Sequence, residues 1–156
     1  MSVGSCSSFL EYNPRIYCGP LRLLAWEVAK RLNKANVPCD LITGQEREEV
    51  DGAKHKAVTV DMADVTTDYD CAVIDEIQML GCRTRGFSFT RALLGISADE
   101  LHLCGDPAAV PLIQEILKSN WRLRTIQKIN LEDKVQLQPE SISKRKPKIR
   151  QSKYRA

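Results

Sequence analysis

Short apolar runs alternate with amphipathic stretches between Arg15 and Leu117. Strands and helices in this alternation are typical of βα units, in which helices cover a parallel sheet. We therefore predict an α/β domain built on a parallel sheet flanked by helices. The predicted strands are RIYCG (15–19), CDLIT (39–43), AVTVDM (57–62), CAVIDEI (71–77) and ELHLCG (100–105), and the predicted helices are residues 21–35, 90–96 and 106–118.

The composition is typical of a single soluble globular domain. Of the 156 residues, 43% are hydrophobic and 28% are charged. Apolar stretches are only a few residues long, whereas a membrane-spanning helix needs about 20, so we predict no membrane contact. The six cysteines form no C-x-x-C pair and are accompanied by only two histidines. We interpret the cysteines as reduced, mostly buried thiols rather than as a metal site.

Positive charge is concentrated at the C-terminus. Residues 142–156 contain seven lysines and arginines and no acidic residue. The other 16 basic residues stand against 20 acidic residues, so residues 1–141 have a net charge of −4. Such a tail is compatible with an arm that binds nucleic acid, with a localisation signal, or with a solvated end. We expect residues 121–141 to be irregular and the basic tail to be disordered.

The most apolar predicted strand ends in two acidic residues, Asp75 and Glu76, and the amide of Gln78 follows it. In open parallel sheets, ligands bind beyond the carboxyl ends of the strands. Phosphoryl transfer needs a carboxylate to hold Mg²⁺ and a second group to position the attacking water, and Asp75 and Glu76 suit these roles. Gly105 and Asp106 end another predicted strand and are expected to meet the same crevice. The alternative is a solvated pair of acids at an ordinary strand end.

A nucleotide site also needs a segment that holds the phosphates. In the common form, G-x-x-x-x-G-K-S/T, backbone amides and a lysine surround the phosphate groups. The pattern does not occur in the 156 residues, because only Lys54 and Lys56 lie near a glycine and neither is followed by Ser or Thr. The sequence thus contains residues for holding the metal without those for holding the phosphates.

Six segments form a specific series along the chain: YCGPLRLLAWEV (17–28), VPCDLITGQER (37–47), AVTVDM (57–62), DCAVIDEIQM (70–79), RGFSFTRALLG (85–95) and ELHLCGDPAAV (100–110). Together they resemble the mitochondrial RNA helicases of the suppressor-of-Var type, which are members of helicase superfamily two. The resemblance extends over residues 15–117. It implies part of a RecA-like sheet of the P-loop NTPase type.

The resemblance implies a role for each matching residue. Asp75 and Glu76 match an acid pair that serves magnesium binding and water activation, with Mg²⁺ expected on Asp75. Gln78 matches an amide that links the nucleotide site to the RNA-bound state. Gly105 and Asp106 lie where such proteins couple hydrolysis to strand separation. The positions that match motifs holding the nucleic-acid backbone, which set affinity without reading sequence, are Pro20, Leu21, Arg22, Thr43, Gly44, Thr59 and Asp61.

The resemblance also implies ATP and Mg²⁺ as cofactors, RNA as substrate, an RNA-degrading nuclease as partner and a mitochondrial location. Residues 1–14 carry no clear presequence, which leaves the nucleus or the cytosol open. In the family, the phosphate loop stands where residues 1–14 stand here, and a second RecA-like domain follows the stretch that ends here at Leu117. We therefore expect residues 15–120 to be a partial motor domain, a fragment that does not hydrolyse ATP by itself.

Two other functions are compatible with the residues. The first is a non-catalytic module that binds RNA or a partner through the basic tail and needs no phosphate loop. The second is a nucleotide-phosphorylating enzyme of the thymidine kinase type, which also carries D-E-x-Q at a strand end. That enzyme needs a phosphate loop and normally a zinc-binding set of cysteines, and this sequence has neither pattern.

Overall fold

The computed structural model describes residues 13–119. The predictions for residues 1–12 and 120–156, including the irregular segment and the basic tail, lie outside the described residues. The strands are β1 (Arg15–Gly19), β2 (Cys39–Ile42), β3 (Arg47–Glu48), β4 (His55–Thr59), β5 (Asp68–Ile74) and β6 (Ser97–Leu103). The α-helices are α1 (Arg22–Lys34), α2 (Gly86–Gly95) and α3 (Val110–Lys118), and 3-10 helices span Val60–Met62, Ile77–Gly81 and Pro107–Ala109.

The described strands form one sheet in the order β3-β2-β4-β1-β5-β6. All neighbouring pairs are parallel except β2 and β3, which pair in the antiparallel direction. The prediction of an α/β fold on a parallel sheet is therefore confirmed. Because five strands run in the same direction, their carboxyl ends lie along one edge of the sheet, which we call the carboxyl edge.

Helices cover both faces of the sheet. Ala25 and Ala29 of α1 pack with Ala57 of β4 on one face. The next residue of β4, Val58, belongs to a larger core on the opposite face, because successive side chains of a strand point to opposite sides. The buried side chains of α2 and α3 in that larger core include Phe89, Leu93, Val110, Ile113 and Leu117.

Several element boundaries differ from the sequence prediction. The strand predicted at 71–77 runs from Asp68 to Ile74 instead, because β6 begins at Ser97 and provides hydrogen-bonding partners for the polar start of β5. The strand predicted at 57–62 ends at Thr59 and continues as a 3-10 helix. Helix α2 begins at Gly86, four residues before the helix predicted at 90–96, and the short exposed strand β3 was not predicted.

The described cysteines agree with the interpretation as reduced thiols. Cys18, Cys39, Cys71 and Cys104 are buried, Cys82 is half-buried, and these five form no disulfide within residues 13–119. Burial raises the pKa of Cys18 to about 12, and burial together with the charge of Asp40 raises the pKa of Cys39 to about 12. No helix within residues 13–119 is long and apolar enough to cross a membrane.

Candidate active site

The predicted site residues all lie at the carboxyl edge: Thr59 ends β4, and the others follow the ends of strands. Residues 75–81 follow β5 and residues 104–107 follow β6, while 20–22, 43–46 and 60–62 follow β1, β2 and β4. The parallel ladder continues one residue beyond β5, where the amide of Asp75 donates to Cys18 O (3.0 Å). The amide of Ile77 donates to Cys104 O (2.8 Å), which joins the loops after β5 and β6. The topology therefore brings the residues of both predicted sets to one edge.

Asp75 is a buried carboxylate with two hydrogen-bond donors. It is 6% exposed, and its two oxygens accept from the Tyr17 hydroxyl (2.8 Å) and from the Glu76 amide (2.9 Å). Burial raises the pKa of Asp75 above its ordinary value, the two hydrogen bonds lower it, and the charge of Glu76 raises it further. A carboxylate in this setting gains from a nearby cation, because the cation would offset the cost of burying its charge.

Glu76 adopts a backbone conformation that a residue with a side chain rarely adopts. Its φ is 55° and its ψ is 47°, in the left-handed region. This backbone conformation costs of order 1–3 kcal/mol and persists only where the surrounding structure fixes it. Residues with such conformations cluster at functional sites. This conformation ends β5 and directs the chain into the 3-10 helix Ile77–Gly81. The Glu76 carboxylate accepts a hydrogen bond from the side-chain amide of Gln78.

Gln78 connects the loops after β5 and β6. Its amide nitrogen donates to Glu76, and its Oε1 accepts from the backbone amide of Asp106 (3.1 Å). The loop after β6 can approach Gln78 this closely because Gly105 has no side chain. A Cβ on Gly105 would overlap Gln78 Oε1 and would lie 2.8 Å from the Ile77 amide nitrogen. Gly105 also has a φ of 148°, which favours glycine. The Gln78 side chain thus joins the Glu76 carboxylate, in the loop after β5, to the backbone of Asp106, in the loop after β6.

Asp106 has a structural role at the start of the helical segment after β6. Its Oδ1 accepts from the amide of Ala108 (2.8 Å), and Pro107 occupies the first helical position. Its side chain therefore caps the 3-10 helix that leads into α3, whereas its backbone amide faces Gln78. The capping bond and the link to Gln78 use different atoms of the same residue, so both contacts exist together.

The oxygens at this edge fit Mg²⁺. Magnesium binds oxygen ligands and is usually held by one or two carboxylates together with water and substrate phosphates. Asp75 and Glu76 supply adjacent carboxylates, and each oxygen of Asp75 retains a lone pair beyond the bond that it accepts. The phosphates of ATP do not fit these residues equally well, because the sequence has no phosphate-binding loop of the common form. The site therefore has donors for the metal and lacks that cradle for the triphosphate.

Arg85 joins two of the loops predicted to hold a nucleic-acid backbone. Its guanidinium donates to the carbonyl oxygen of Pro20 and lies 3.6 Å from Asp61 Oδ1. This ion pair offsets the charge of Asp61, which would otherwise repel phosphates. Arg85 was not predicted as a site residue, since its partners are 65 and 24 positions away and only the fold brings them together.

The remaining residues of the predicted nucleic-acid set differ in exposure. Arg22 and Gly44 are exposed, and the Arg22 guanidinium donates to Gln45 Oε1, which connects the loops after β1 and β2. Thr43 is buried, and its hydroxyl accepts from the amide of Glu46 (3.0 Å) within its own turn. Thr59 is also buried.

The Thr59 hydroxyl donates to Asp61 Oδ2 (3.3 Å), which is again a local contact. Leu21 is 56% exposed at the N-terminal cap of α1, and Pro20 beside it is buried. The groups that a ligand can reach are therefore Arg22, Gly44, Asp61 and the backbone at Leu21, while the two threonine hydroxyls hold the loops.

Comparison with known proteins gives close relatives. The family model of the DEXQ-box helicase domain of Suv3 matches residues 4–128. The chain is 82% identical over 103 residues to the DExH-box ATP-dependent RNA helicase DExH16, mitochondrial, of Arabidopsis thaliana. The aligned region covers 66% of this chain and 18% of that protein. It is 75% identical over 112 residues to the ATP-dependent RNA helicase SUV3, mitochondrial, of Oryza sativa subsp. japonica, which covers 72% of this chain and 19% of that protein.

A human relative is more distant. The chain is 47% identical over 131 residues to the ATP-dependent RNA helicase SUPV3L1, mitochondrial, of Homo sapiens, which covers 81% of this chain and 16% of that protein. Among solved structures, a UDP-N-acetylmuramoyl-L-alanyl-D-glutamate--2, 6-diaminopimelate ligase is similar with a TM-score of 0.46 and 11% identity, over 77% of this chain and 32% of that chain.

The chain spans less than a fifth of the length of each of these three helicases. The family match covers more than half of the chain and includes the D-E-x-Q motif at Asp75–Gln78 together with the loops that converge with it. The family resemblance of the sequence is thereby confirmed: the chain belongs to the DEXQ-box helicase domain family of Suv3.

Proposed function

We propose that this chain is part of the first motor domain of a mitochondrial ATP-dependent RNA helicase, and that it supplies the metal-holding and RNA-facing parts of that domain. The observation that carries the proposal is the Gln78 side chain, which bonds both the Glu76 carboxylate and the Asp106 amide. Such a bridge gives a change at the acid pair a direct route to the loop after β6. The proposal thus assigns Gln78, Gly105 and Asp106 to coupling.

Asp75 and Glu76 have separate tasks in this proposal. Asp75 holds Mg²⁺, and Tyr17 keeps the carboxylate oriented toward the carboxyl edge. Glu76 orients the attacking water, and the amide of Gln78 holds its carboxylate in place. When bound, Mg²⁺ neutralises charge that develops on phosphate oxygens. The raised pKa of Asp75 supports this assignment, because a buried carboxylate with few donors binds a cation more readily than a fully satisfied one.

The RNA-facing part is the N-terminal end of α1 with the loops beside it. The cap residue Leu21 makes no side-chain hydrogen bond, so the first amides of this 13-residue helix can donate to phosphates. Arg22 adds an exposed positive charge, and Gly44 and Asp61 lie beyond the carboxyl ends of β2 and β4. Arg85 fixes the position of this surface through Pro20 and Asp61.

A titration of the full chain with a fluorescent ATP analogue tests the proposal. We expect weak, saturable binding that needs Mg²⁺, because the carboxylates are present and the common phosphate loop is not. Asp75→Asn should abolish the effect of Mg²⁺. Asp68→Asn, an exposed aspartate at the other end of β5, is the matched control and should leave it unchanged. Binding that persists in Asp75→Asn, or that ignores Mg²⁺, would contradict the role assigned to Asp75.

A second candidate is a non-catalytic module that binds RNA or a partner. It is favoured by the separation of charge, since residues 142–156 hold seven basic residues and no acidic one, and by the absence of the common phosphate loop. A folded chain that binds no ATP analogue would favour this candidate. The tail would then supply affinity through phosphate contacts that do not depend on base sequence.

Deletion of residues 142–156 tests the second candidate. We expect weaker RNA binding and a weaker dependence of the affinity on salt. The slope of log affinity against log salt concentration should become shallower by about 0.7–0.9 for each phosphate that the tail neutralises in the intact chain. A tail of the same length with its seven basic residues replaced by glutamine separates charge from length. Unchanged RNA affinity and salt slope in both variants would show that the tail is not the RNA-binding arm.

The proposed location rests on the relatives, and the proposed partners rest on the family resemblance. The three helicases compared above are named as mitochondrial, and we propose the same location here. An RNA-degrading nuclease as partner, and a role in RNA breakdown, rest on the family resemblance. A tagged full chain expressed in cells should co-fractionate with mitochondria, whereas accumulation in the nucleus would contradict the proposed location.

A further inference from the structure

Three potential metal ligands lie together on β5 and β6, within the strands rather than in the segments that follow them. Cys71 pairs with Glu100 across the two strands, and His102 is two residues beyond Glu100 on the same side of β6. The Cys71 Sγ, a Glu100 carboxylate oxygen and a ring nitrogen of His102 all lie within 4.8 Å of one another. The sequence alone predicted Cys71 to be a buried thiol outside any metal site and gave no role to Glu100 or His102.

The His102 side chain supplies a second, independent observation. It is 8% exposed, and its Nε2 is buried without a hydrogen-bond partner in the described structure. The same nitrogen lies 3.6 Å from Glu100 Oε2, so it faces the other members of the cluster. Buried polar atoms are nearly always satisfied, and an exception at a cluster of ligands indicates a group that the nitrogen would bind.

We propose that Cys71, Glu100 and His102 bind Zn²⁺, with water as the fourth ligand. Sulfur, nitrogen and oxygen donors of these residue types form tetrahedral zinc sites, and a site with three protein ligands keeps one position for water. Mg²⁺ does not fit, because it prefers oxygen ligands. Binding replaces the proton of the Cys71 thiol, which leaves to solvent, and places the thiolate on the metal.

The geometry and the charge of the cluster allow this site. Zinc bonds of about 2.0–2.3 Å place tetrahedral ligands roughly 3.5 Å apart, so the three side chains must move together by about an ångström. Glu100, 28% exposed, can make this movement and leaves access for the ion. Arg15 lies on β1, which pairs with the edge of β5 opposite β6, and it is the register partner of Cys71. A thiolate and a carboxylate neutralise Zn²⁺, so the loaded site carries no net charge next to Arg15.

The proposed zinc site is distinct from the proposed magnesium site. Cys71 precedes Asp75 by four residues, which is about 13 Å along an extended strand, and His102, which pairs with Val73, lies two register positions before Asp75, or about 7 Å. Zinc would join β6 to β5 across the sheet, because its ligands come from both strands. It would therefore stabilise β6, the strand that leads to Gly105 and Asp106, without entering the carboxyl edge.

Cobalt binding to the reduced full chain tests the proposal, because a thiolate bound to Co²⁺ gives an intense charge-transfer absorption. We expect this band at one Co²⁺ per chain and its loss when Zn²⁺ is added. Cys71→Ser should remove the band, and His102→Gln should weaken Co²⁺ affinity at least about tenfold, the smallest loss that even an outer-shell change causes. Cys82→Ser, which alters a half-buried thiol outside the cluster, is the matched control and should keep the band.

Circular dichroism establishes that each variant is folded. If Cys71→Ser does not fold, Glu100→Gln decides, because this partly exposed side chain can change without opening the core; it should also lose at least about tenfold in affinity. The proposal is overturned if the folded wild-type chain gives no thiolate–cobalt band, if the band persists in Cys71→Ser, or if Glu100→Gln binds as tightly as the wild type.

Discussion

The two ends of β5 hold their aspartates in opposite ways. Before β5, the Asp64 carboxylate accepts from the Thr66 amide (2.9 Å), the Thr66 hydroxyl (2.7 Å) and the Thr67 hydroxyl (2.6 Å). Lys56 Nζ lies 3.1 Å away and the Tyr69 hydroxyl 3.4 Å away. The hydrogen bonds from Thr67 and Thr66, followed by that from Lys56, hold the pKa of Asp64 well below its ordinary value.

After β5, Asp75 has fewer donors and is more deeply buried, so burial raises its pKa. Five donors around Asp64 satisfy the ionised carboxylate and fix the loop between β4 and β5. Two donors around Asp75 orient the carboxylate and leave its charge incompletely offset. The difference indicates that the amino-terminal end of β5 is built for stability, and it supports the proposal that the carboxyl edge receives a cation.

The largest effect is expected from closing the space at the carboxyl edge. Gly105→Ala places a Cβ against Gln78 and the Ile77 amide at a φ that favours glycine, so the free energy of unfolding should fall by about 3 kcal/mol. Gly81→Ala, where a Cβ would meet nothing within 4 Å, is the control and should change it by less than about 0.5 kcal/mol. Equal urea midpoints for the two variants would show that the loops after β5 and β6 are not tightly joined.

A smaller loss is expected from Asp64→Asn. The substitution removes the charge that accepts bonds from Thr66, Thr67 and Lys56, so stability at neutral pH should fall by about 2 kcal/mol. Because the folded pKa of Asp64 is depressed, its contribution is present above the ordinary pKa of 3.8 and is lost as the pH falls toward the folded pKa.

The difference between wild type and Asp64→Asn, measured by urea unfolding, should therefore shrink as the pH falls below 3.8. Asp68→Asn, an exposed change a few residues away, is the control and should have almost no effect. A difference that stays constant with pH would contradict the proposed charge-dependent role of Asp64.

The smallest effect on stability, of opposite sign, is expected from Asp75→Asn. The Asn amide can keep both contacts, since the Tyr17 hydroxyl can accept as well as donate. Because the folded pKa of Asp75 is raised, the folded state holds its proton more tightly, and the cost of its charge appears as the pH rises above 3.8. The variant should match the wild type at low pH and exceed it at neutral pH by less than about 1 kcal/mol.

Thermal unfolding at several pH values measures this change. A loss of stability comparable to that of Asp64→Asn would mean that Asp75 is a structural carboxylate like Asp64, and the contrast between the two ends of β5 would fail.

The sequence predicted the fold well where apolar runs coincide with strands. The prediction for β1 matches Arg15–Gly19, and α1 was predicted within one residue at each end. Asp68–Asp70 was missed because its polar residues become a strand only through pairing with β6. The end of β5 was placed too late because the left-handed conformation of Glu76 has no signal in the residue type.

The sequence predicted that the candidate site residues lie at one edge of the sheet, but it did not predict the contacts between them. Asp75, Gln78 and Asp106 could be identified from strand ends and motifs, since a parallel sheet brings its carboxyl ends to one edge. Tyr17 was missed because it lies 58 positions from Asp75. The cluster of Cys71 and Glu100 depends on the register of β5 with β6; the only sequence signal was the spacing of Glu100 and His102, which places both on one side of a strand.

The most direct test of the contrast is a pH titration of the carboxyl carbons of Asp64 and Asp75 by NMR, with and without Mg²⁺. We predict a pKa above 3.8 for Asp75 and below 3.8 for Asp64. Mg²⁺ should lower the pKa of Asp75 and leave that of Asp64 unchanged, because a bound cation favours the ionised form. A pKa of Asp75 at or below 3.8, or a response to Mg²⁺ at Asp64 instead, would contradict the account.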